Sequence, residues 1–337
     1  MTKYAASTWR GVLKAVKRMA VVQAFRPAVS GGPKDSHYIK NDFFKGALAP
    51  RTLLCAVLVA SVALHATTAA ARDFLWKATG KTGVVHLVGS IHLLTEDFYP
   101  LSPALDRAFK DSDLLVEEVD LAELLSSPVQ MQMLTRGMLP TGQSLEKVVS
   151  PATFAEVTKR VAALGLPIEP LKRFKPWSLA LTLAAMEWQK AGFDAELGLD
   201  KHFYDLARSG GKQVQALETA EYQISRFDGL SMEQQEHLLA DTLKDADTEM
   251  ANVRALAGAW KAGDAPTVER FVLEDLQQDP QMYQRLLVER NRNWMPKIEA
   301  LFNRSGHAFI VVGAAHLVGP DGLIAMLKAK GYTVEQM

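Results

Sequence analysis

The sequence predicts an α+β protein. A mixed central sheet is assembled from the N- and C-terminal parts of residues 72–337, with a large helical insertion between them. Three observations carry this expectation. Short β-branched, apolar runs cluster near the two ends of that span, as half-buried or buried strands require. From Pro151 to Asn303 apolar residues recur mostly at helical spacing. The first strands enclose one helix in a βαβ-like order, with its crossover on one face. No repeat of 20–50 residues and no low-complexity tract interrupts the pattern. A sheet needing both ends is one domain, so residues 72–337 read as a single unit.

The elements follow in order. Asp73–Ala78 and Val84–Gly89 flank Thr79-Gly80-Lys81-Thr82-Gly83, a hairpin pattern. Ser102-Pro103 supplies a cap and a proline at helix entry, predicting a helix over Ala104–Lys110. Leu114–Val119 reads as a short buried strand. Pro151–Leu164, Trp177–Ala191 and Leu197–Ser209 read as helices, the last ending at Gly210-Gly211. Gln213–Leu217 is a short strand. Helical stretches follow at Met232–Ala262, Ala265–Leu276 and Met282–Asn303. The chain closes with strand His307–Val312, loop Val318–Gly322, helix Leu323–Lys330 and edge strand Tyr332–Glu335.

The 38 basic and 38 acidic residues conceal an asymmetry. Residues 1–51 carry ten Lys/Arg and two Asp/Glu, and residues 52–71 carry none, leaving 28 basic and 36 acidic residues beyond. An acidic body argues against a phosphate-binding surface, so nucleic acid is not an expected partner. Arg51, the apolar run Leu53–Leu64 and Ala69-Ala70-Ala71 have the order of a secretory signal, with cleavage expected after Ala71. The run is short for a bilayer span. Residues 1–50 read as a basic extension outside the fold, 51–71 as the signal. The expected location is outside the cytoplasm, in the periplasm, with membrane contact only through the export signal. The single cysteine, Cys55, falls within the signal, so the mature chain has no thiol for catalysis or metal binding.

Two copies of one pattern carry the chemistry. Gly89-Ser90-Ile91-His92 and Gly313-Ala314-Ala315-His316 each follow a β-branched run. Glycine permits close backbone approach and unusual φ, and a histidine three positions on clears the strand end. Of the six histidines beyond Ala71, His86, His202, His237 and His307 read as structural or surface groups. The repetition singles out His92 and His316.

The strand Leu114–Val119 ends in acids. By alternation, Glu118 and Asp120 share a face with Val116, and Glu117 shares one with Leu115. Adjacent acids on a buried strand demand pairing, water or a metal. Glu118 is the candidate ligand or general base; the plainer reading is a strand that ends at Val116 with both acids in water. Two imidazoles and a carboxylate suit Zn²⁺, Mn²⁺, Co²⁺ or Fe²⁺ rather than Ca²⁺. Such an ion would acidify bound water and open hydrolytic chemistry. Neither a His-Glu-x-x-His motif nor a Gly-x-Ser-x-Gly elbow is present. Ser90 lacks the base and orienting group that a nucleophile needs. Two polar clusters remain. In Leu217–Gln223, Thr219 is placed to cap the helix that follows. Glu289–Trp294 reads most simply as a solvated helix face, and functionally as an Arg290/Asn291 pair that holds a substrate carbonyl.

At these residues the chain resembles the TraB/GumN family, related to the Tiki metalloproteases. The resemblance runs through Leu87–His92, Glu118–Leu121, Lys175–Ala180, Gly198–Phe203, Leu217–Thr219, Glu289–Asn291 and Val312–Gly322, covering Phe74 to Val334. The bacterial periplasmic branch is the nearest in character. The resemblance implies an α+β fold carrying two Gly-x-x-His motifs and a glutamate. It implies a Mn²⁺- or Co²⁺-dependent peptidase centre, with Zn²⁺ as a further possibility. Carried over, His92, Glu118 and His316 are the expected metal ligands. Glu118, Arg290 and Asn291 are the expected catalytic groups, and Gly89 and Gly313 the expected cofactor-binding glycines. The expected partner is a peptide or small-molecule substrate. The alternative is a non-catalytic haem- or peptide-binding protein on the same fold.

Overall fold

A computed structural model describes residues 72–244 and 246–337. The expectations for residues 1–71, including the extension, the signal and Cys55, lie outside the described residues.

Six strands form one mixed sheet: β1 Leu75–Thr79, β2 Gly83–Ser90, β3 Leu114–Glu117, β4 Gln213–Ala216, β5 Gly306–Gly313 and β6 Thr333–Gln336. Six helices matter here: α1 Pro103–Asp111, α2 Pro176–Lys190, α3 Leu199–Ser209, α4 Ala220–Asp228, α5 Glu289–Leu301 and α6 Leu323–Ala329. The expected α+β architecture is what forms, with both ends of the described chain contributing strands.

The strand order is β4-β3-β5-β2-β1-β6. β1 and β2 form the expected antiparallel hairpin, with Thr79 opposite Val84. β2, β5, β3 and β4 run parallel to one another. The β2–α1–β3 crossover therefore skips one position, and β5, arriving from the far end of the chain, fills it. Four carboxyl ends come to lie along one edge, where open α/β sheets build their sites.

The core lies on this sheet. Phe309 of β5 meets Phe109 of α1 and Phe203 of α3, with ring centroids 5.5 and 4.7 Å apart. A second apolar cluster holds the insertion together through Leu145, Val157, Leu171, Leu179, Leu183 and Leu239.

Three elements depart from expectation. β3 stops at Glu117 rather than Val119 because Asp120 turns to cap the short helix Leu121–Leu124, accepting from Ala122 N at 2.7 Å. Asp120 therefore does not share a working face with Glu118. The stretch Met232–Ala262 is two helices, Met232–Thr242 and Ala246–Lys261. Arg160, from the helix Pro151–Ala163, takes the carbonyls of Leu243 and Lys244 at 2.9 and 2.6 Å. A tertiary donor thus satisfies C-terminal carbonyls that would otherwise be orphaned. The stretch Met282–Asn303 begins earlier, with Pro280–Tyr283, and passes through a π-helical turn, Gln284–Val288, before α5. Thr219 caps α4 as expected, accepting from Tyr222 N at 3.2 Å.

Candidate metal centre

The two Gly-x-x-His motifs leave neighbouring parallel strands at the same end. Ser90 of β2 is the register partner of Gly313 of β5, and Glu117 of β3 that of Val311. Histidines more than two hundred positions apart are thereby delivered to one locus, with Glu118 beside them. A methyl group added to Gly313 would lie 3.3 Å from Glu118 Oε1, 3.7 Å from His316 Cδ2 and 3.8 Å from His92 Nε2. Gly313 is the floor on which the three side chains converge. Its N–H donates to Glu118 Oε1 at 2.7 Å.

Gly89 does a different job. An added methyl would meet Phe74 Cε1 at 2.3 Å and Ala314 Cα at 2.9 Å. Its carbonyl accepts from Trp260 Nε1 at 2.6 Å. It lets β2 pack closely and does not face the centre.

Each imidazole is held by its Nδ1. His92 Nδ1 lies 2.8 Å from Asp200 Oδ2, in the first turn of α3. His316 Nδ1 lies 2.7 Å from Asn291 Oδ1. The amide of Asn291 donates to the carbonyls of His316 and Asp321, which assigns its oxygen to the ring. His316 Nδ1 is therefore the protonated nitrogen. Its Nε2 accepts from Arg290 Nη1 at 2.9 Å, since a guanidinium only donates. Both Nε2 atoms are thus turned to the centre, that of His316 already occupied by Arg290.

Arg290 sits on the third side. Its five N–H groups are all used: Nε and Nη2 on Glu218, Nη2 on Glu118 Oε2, and Nη1 on His316 and the Leu286 carbonyl. Glu218 follows β4, and its N–H continues the ladder to Glu118 O at 2.8 Å. Trp294 Nε1 donates to Glu218 at 2.9 Å, and the indole lies 4.4 Å from the His316 ring. Gln223 of α4 donates to Glu118 Oε2 at 3.1 Å.

The solvated reading of Glu289–Trp294 gives way here. Arg290, Asn291 and Trp294 are buried on one face of α5, while Glu289, Arg292 and Asn293 face water. The solvated reading of the β3 acids gives way too, since Glu117 is 2% and Glu118 9% exposed.

The electrostatics follow from these contacts. Burial alone would raise the Glu118 pKa, but the charge of Arg290, with the two imidazoles and the Gly313 N–H, outweighs it, so the carboxylate stays ionised well below its usual range. Burial, reinforced by Arg290, pushes His316 down to about 3 and keeps it neutral. Asp200 raises the pKa of His92 against the opposing effect of burial. That side chain is 56% exposed, so cleft water screens the pair. Glu117 is the contrasting acid. Burial first, then Asp200, Asp120 and Glu118, push it up to about 10, and neither oxygen has a partner.

Sequence reasoning named His92, Glu118, His316, Arg290, Asn291 and Gly313, and the fold brings them together. It did not name Asp200, Glu218, Gln223 or Trp294 as site groups. An acid in a first helical turn reads as a helix-dipole partner, so nothing local marks Asp200.

Among the described residues, no three His, Cys, Asp or Glu side chains stand arranged to hold an ion as they are. Arg290 lies on His316 Nε2, which an ion would use, and on Glu118 Oε2, the other oxygen of the carboxylate. The donor set nonetheless fits one. Metal-binding histidines characteristically give their other ring N–H to a carboxylate or carbonyl, and both rings do so here. His316 Nε2 and Glu118 Oε1 are 3.9 Å apart.

The TraB/PrgY/gumN family matches residues 74–336. The chain belongs to that family. It is similar to the uncharacterized protein YbaP of Escherichia coli (strain K12), 28% identical over 72% of this chain and 87% of the relative. The Shigella flexneri YbaP protein matches with the same identity and coverage. No solved structure matches the chain.

Proposed function

We propose that this protein is an exported, metal-dependent hydrolase acting on peptides. One observation carries the reading: two imidazoles at the exits of adjacent parallel strands have their Nδ1 atoms tied to Asp200 and Asn291, with His92 Nε2, the His316 ring edge and Glu118 Oε1 gathered over Gly313. His92, His316 and Glu118 would hold the ion, with Mn²⁺ or Co²⁺ first and Zn²⁺ next. When bound, the ion would supply an acidified water and polarise a carbonyl.

The remaining work falls to the chain. Asp200 and Asn291 fix ring orientation. Arg290 keeps Glu118 ionised, which suits a third ligand better than a proton acceptor, and places a fixed positive charge beside it that suits a developing oxyanion. Glu218, Leu286 and Trp294 hold that guanidinium in place. Asn291 acts by orienting His316 rather than by touching substrate. Export to the periplasm is the part of the reading supported by the basic flank and apolar run before Ala71. No helix among the described residues is long and apolar enough to cross a membrane.

Metal analysis of the purified protein tests the centre. About one Mn²⁺ or Co²⁺ per chain is expected, lost in the His92→Ala/His316→Ala double variant. Equal metal content in the two would sink the reading. A Soret band on haem titration that vanishes with His92→Ala would instead move the protein to the haem-binding alternative.

A further inference from the structure

The cleft that opens on His92, Glu118 and Asp200 does not end at these polar groups. It runs on between α2, α4 and the short helices Leu121–Leu124 and Ser127–Arg136, with a volume of about 290 Å³. Its continuing wall is apolar: Leu121, Leu124, Met133, Leu181, Ile224 and Phe227. Four of these, Met133, Leu181, Ile224 and Phe227, belong neither to the sheet core nor to the cluster that holds the insertion together. Trp177, 1% exposed and stacked on Phe227 at 6.1 Å, lies outside both as well. Met133, Leu181 and Phe227 are half-buried and turn apolar surface to this shared cleft, while Ile224 and Trp177 are themselves buried. The volume sits at the small end of ligand sites, about 300–1,000 Å³, so it suits one bulky side chain with its backbone.

The cleft is coupled to the chemistry. Gln223, on the same helix as Ile224 and Phe227, donates to Glu118 Oε2. A group seated against α4 is therefore registered to the carboxylate by one hydrogen bond.

We propose that this cleft is the side-chain pocket of the centre, and that the substrate is a peptide with a bulky apolar residue, of leucine, methionine or phenylalanine type, beside the bond attacked. The proposal rests on the hydrolase reading for its chemistry but not for its binding. Burying one such side chain is enough to select among peptides by about 10- to 100-fold.

Two measurements on the full chain separate this inference from that reading. The first is binding of N-acetyl-phenylalaninamide to metal-free protein, followed by NMR line broadening. Binding is expected in wild type with no metal present. It is expected to fall at least 10-fold in Leu181→Arg and in Met133→Arg. The second is a peptide-library cleavage profile with Mn²⁺ and Co²⁺, expected to show an apolar preference at one position that weakens in the same two variants. Circular dichroism melts identify a variant that fails to fold, and the other then decides. Probe binding that follows this pattern without cleavage of any peptide supports the pocket and sinks the hydrolase. Cleavage with no apolar preference, or probe binding that both arginine variants leave intact, overturns the pocket.

Discussion

Arg290 donates to Nε2 of His316 at 2.9 Å, while the same guanidinium bonds Glu118 and Glu218. One cation thereby fixes the tautomer of an imidazole and serves two buried acids. Among the described residues neither acid has another cation at bonding distance, since His316, 3.9 Å from Glu118, is held neutral.

Arg290→Ala strands two buried carboxylates. Breaking a buried pair from one side costs about 3–5 kcal/mol. Urea denaturation at neutral pH is expected to show a loss of that order, with Arg290→Lys intermediate because an ammonium cannot reproduce the planar fork. A loss below about 1 kcal/mol would mean that the network carries no stability.

Asp200→Asn separates orientation from folding. The His92–Asp200 pair is more than half exposed on its histidine side, so stability is expected to change by less than about 1 kcal/mol. Metal affinity, read by calorimetry with Mn²⁺, is expected to fall about 10- to 100-fold, as when other carboxylates behind ligating histidines are removed. Unchanged affinity would show that Asp200 does not orient a ligand.

The two motif glycines are expected to answer differently. Gly89→Ala drives a methyl into Phe74 and the Ala314 backbone, and overpacking of this kind costs about 1–3 kcal/mol or more. Gly313→Ala meets only contacts of 3.3 Å and longer, all from the three centre side chains. Its stability is expected to stay near wild type while metal binding weakens. Denaturation and metal analysis of both variants give the comparison.

Ser90→Ala tests the serine between them. Ser90 is 3% exposed and its Oγ has no partner. Removing an unsatisfied buried hydroxyl is expected to leave stability unchanged or raise it by about 1 kcal/mol. Activity on any peptide found to be cleaved should persist. Its abolition would restore a nucleophile role.

His86 supplies a pH dependence away from the centre. Burial first, then His307 and Lys77, lower its pKa to about 4, and Asp111 opposes them weakly. The folded pKa lies below the unfolded value, so between about 6.5 and 4 the unfolded chain holds more protons. Stability is expected to fall as pH drops through that window, by up to about 3 kcal/mol from this group. In His86→Phe that part of the slope should disappear from denaturation curves taken across the window. An identical slope in the variant would place the proton elsewhere.

Much of the fold was legible locally. The β1–β2 hairpin followed from Thr79–Gly83, α1 from Ser102-Pro103, and α4 from the Thr219 cap. The break after Thr242 was not legible, because no glycine or proline marks it and the donor that stabilises it, Arg160, comes from another helix. The burial of Arg290 was equally hidden. A run of Glu, Arg, Asn and Arg looks solvated until its partners, Glu118, Glu218 and His316, arrive from three other segments.

The sequence by itself determined most of the strands and helices, the two glycine-to-histidine exits and the acid pair between them, because hydrophobic period and turn chemistry act over a few residues. Only the tertiary structure decided that β5 slides between β2 and β3. That choice depends on burying both sheet faces at once, a property of the whole chain. It turns two distant exits and one acid into neighbours over Gly313, and it sets Arg290 among them.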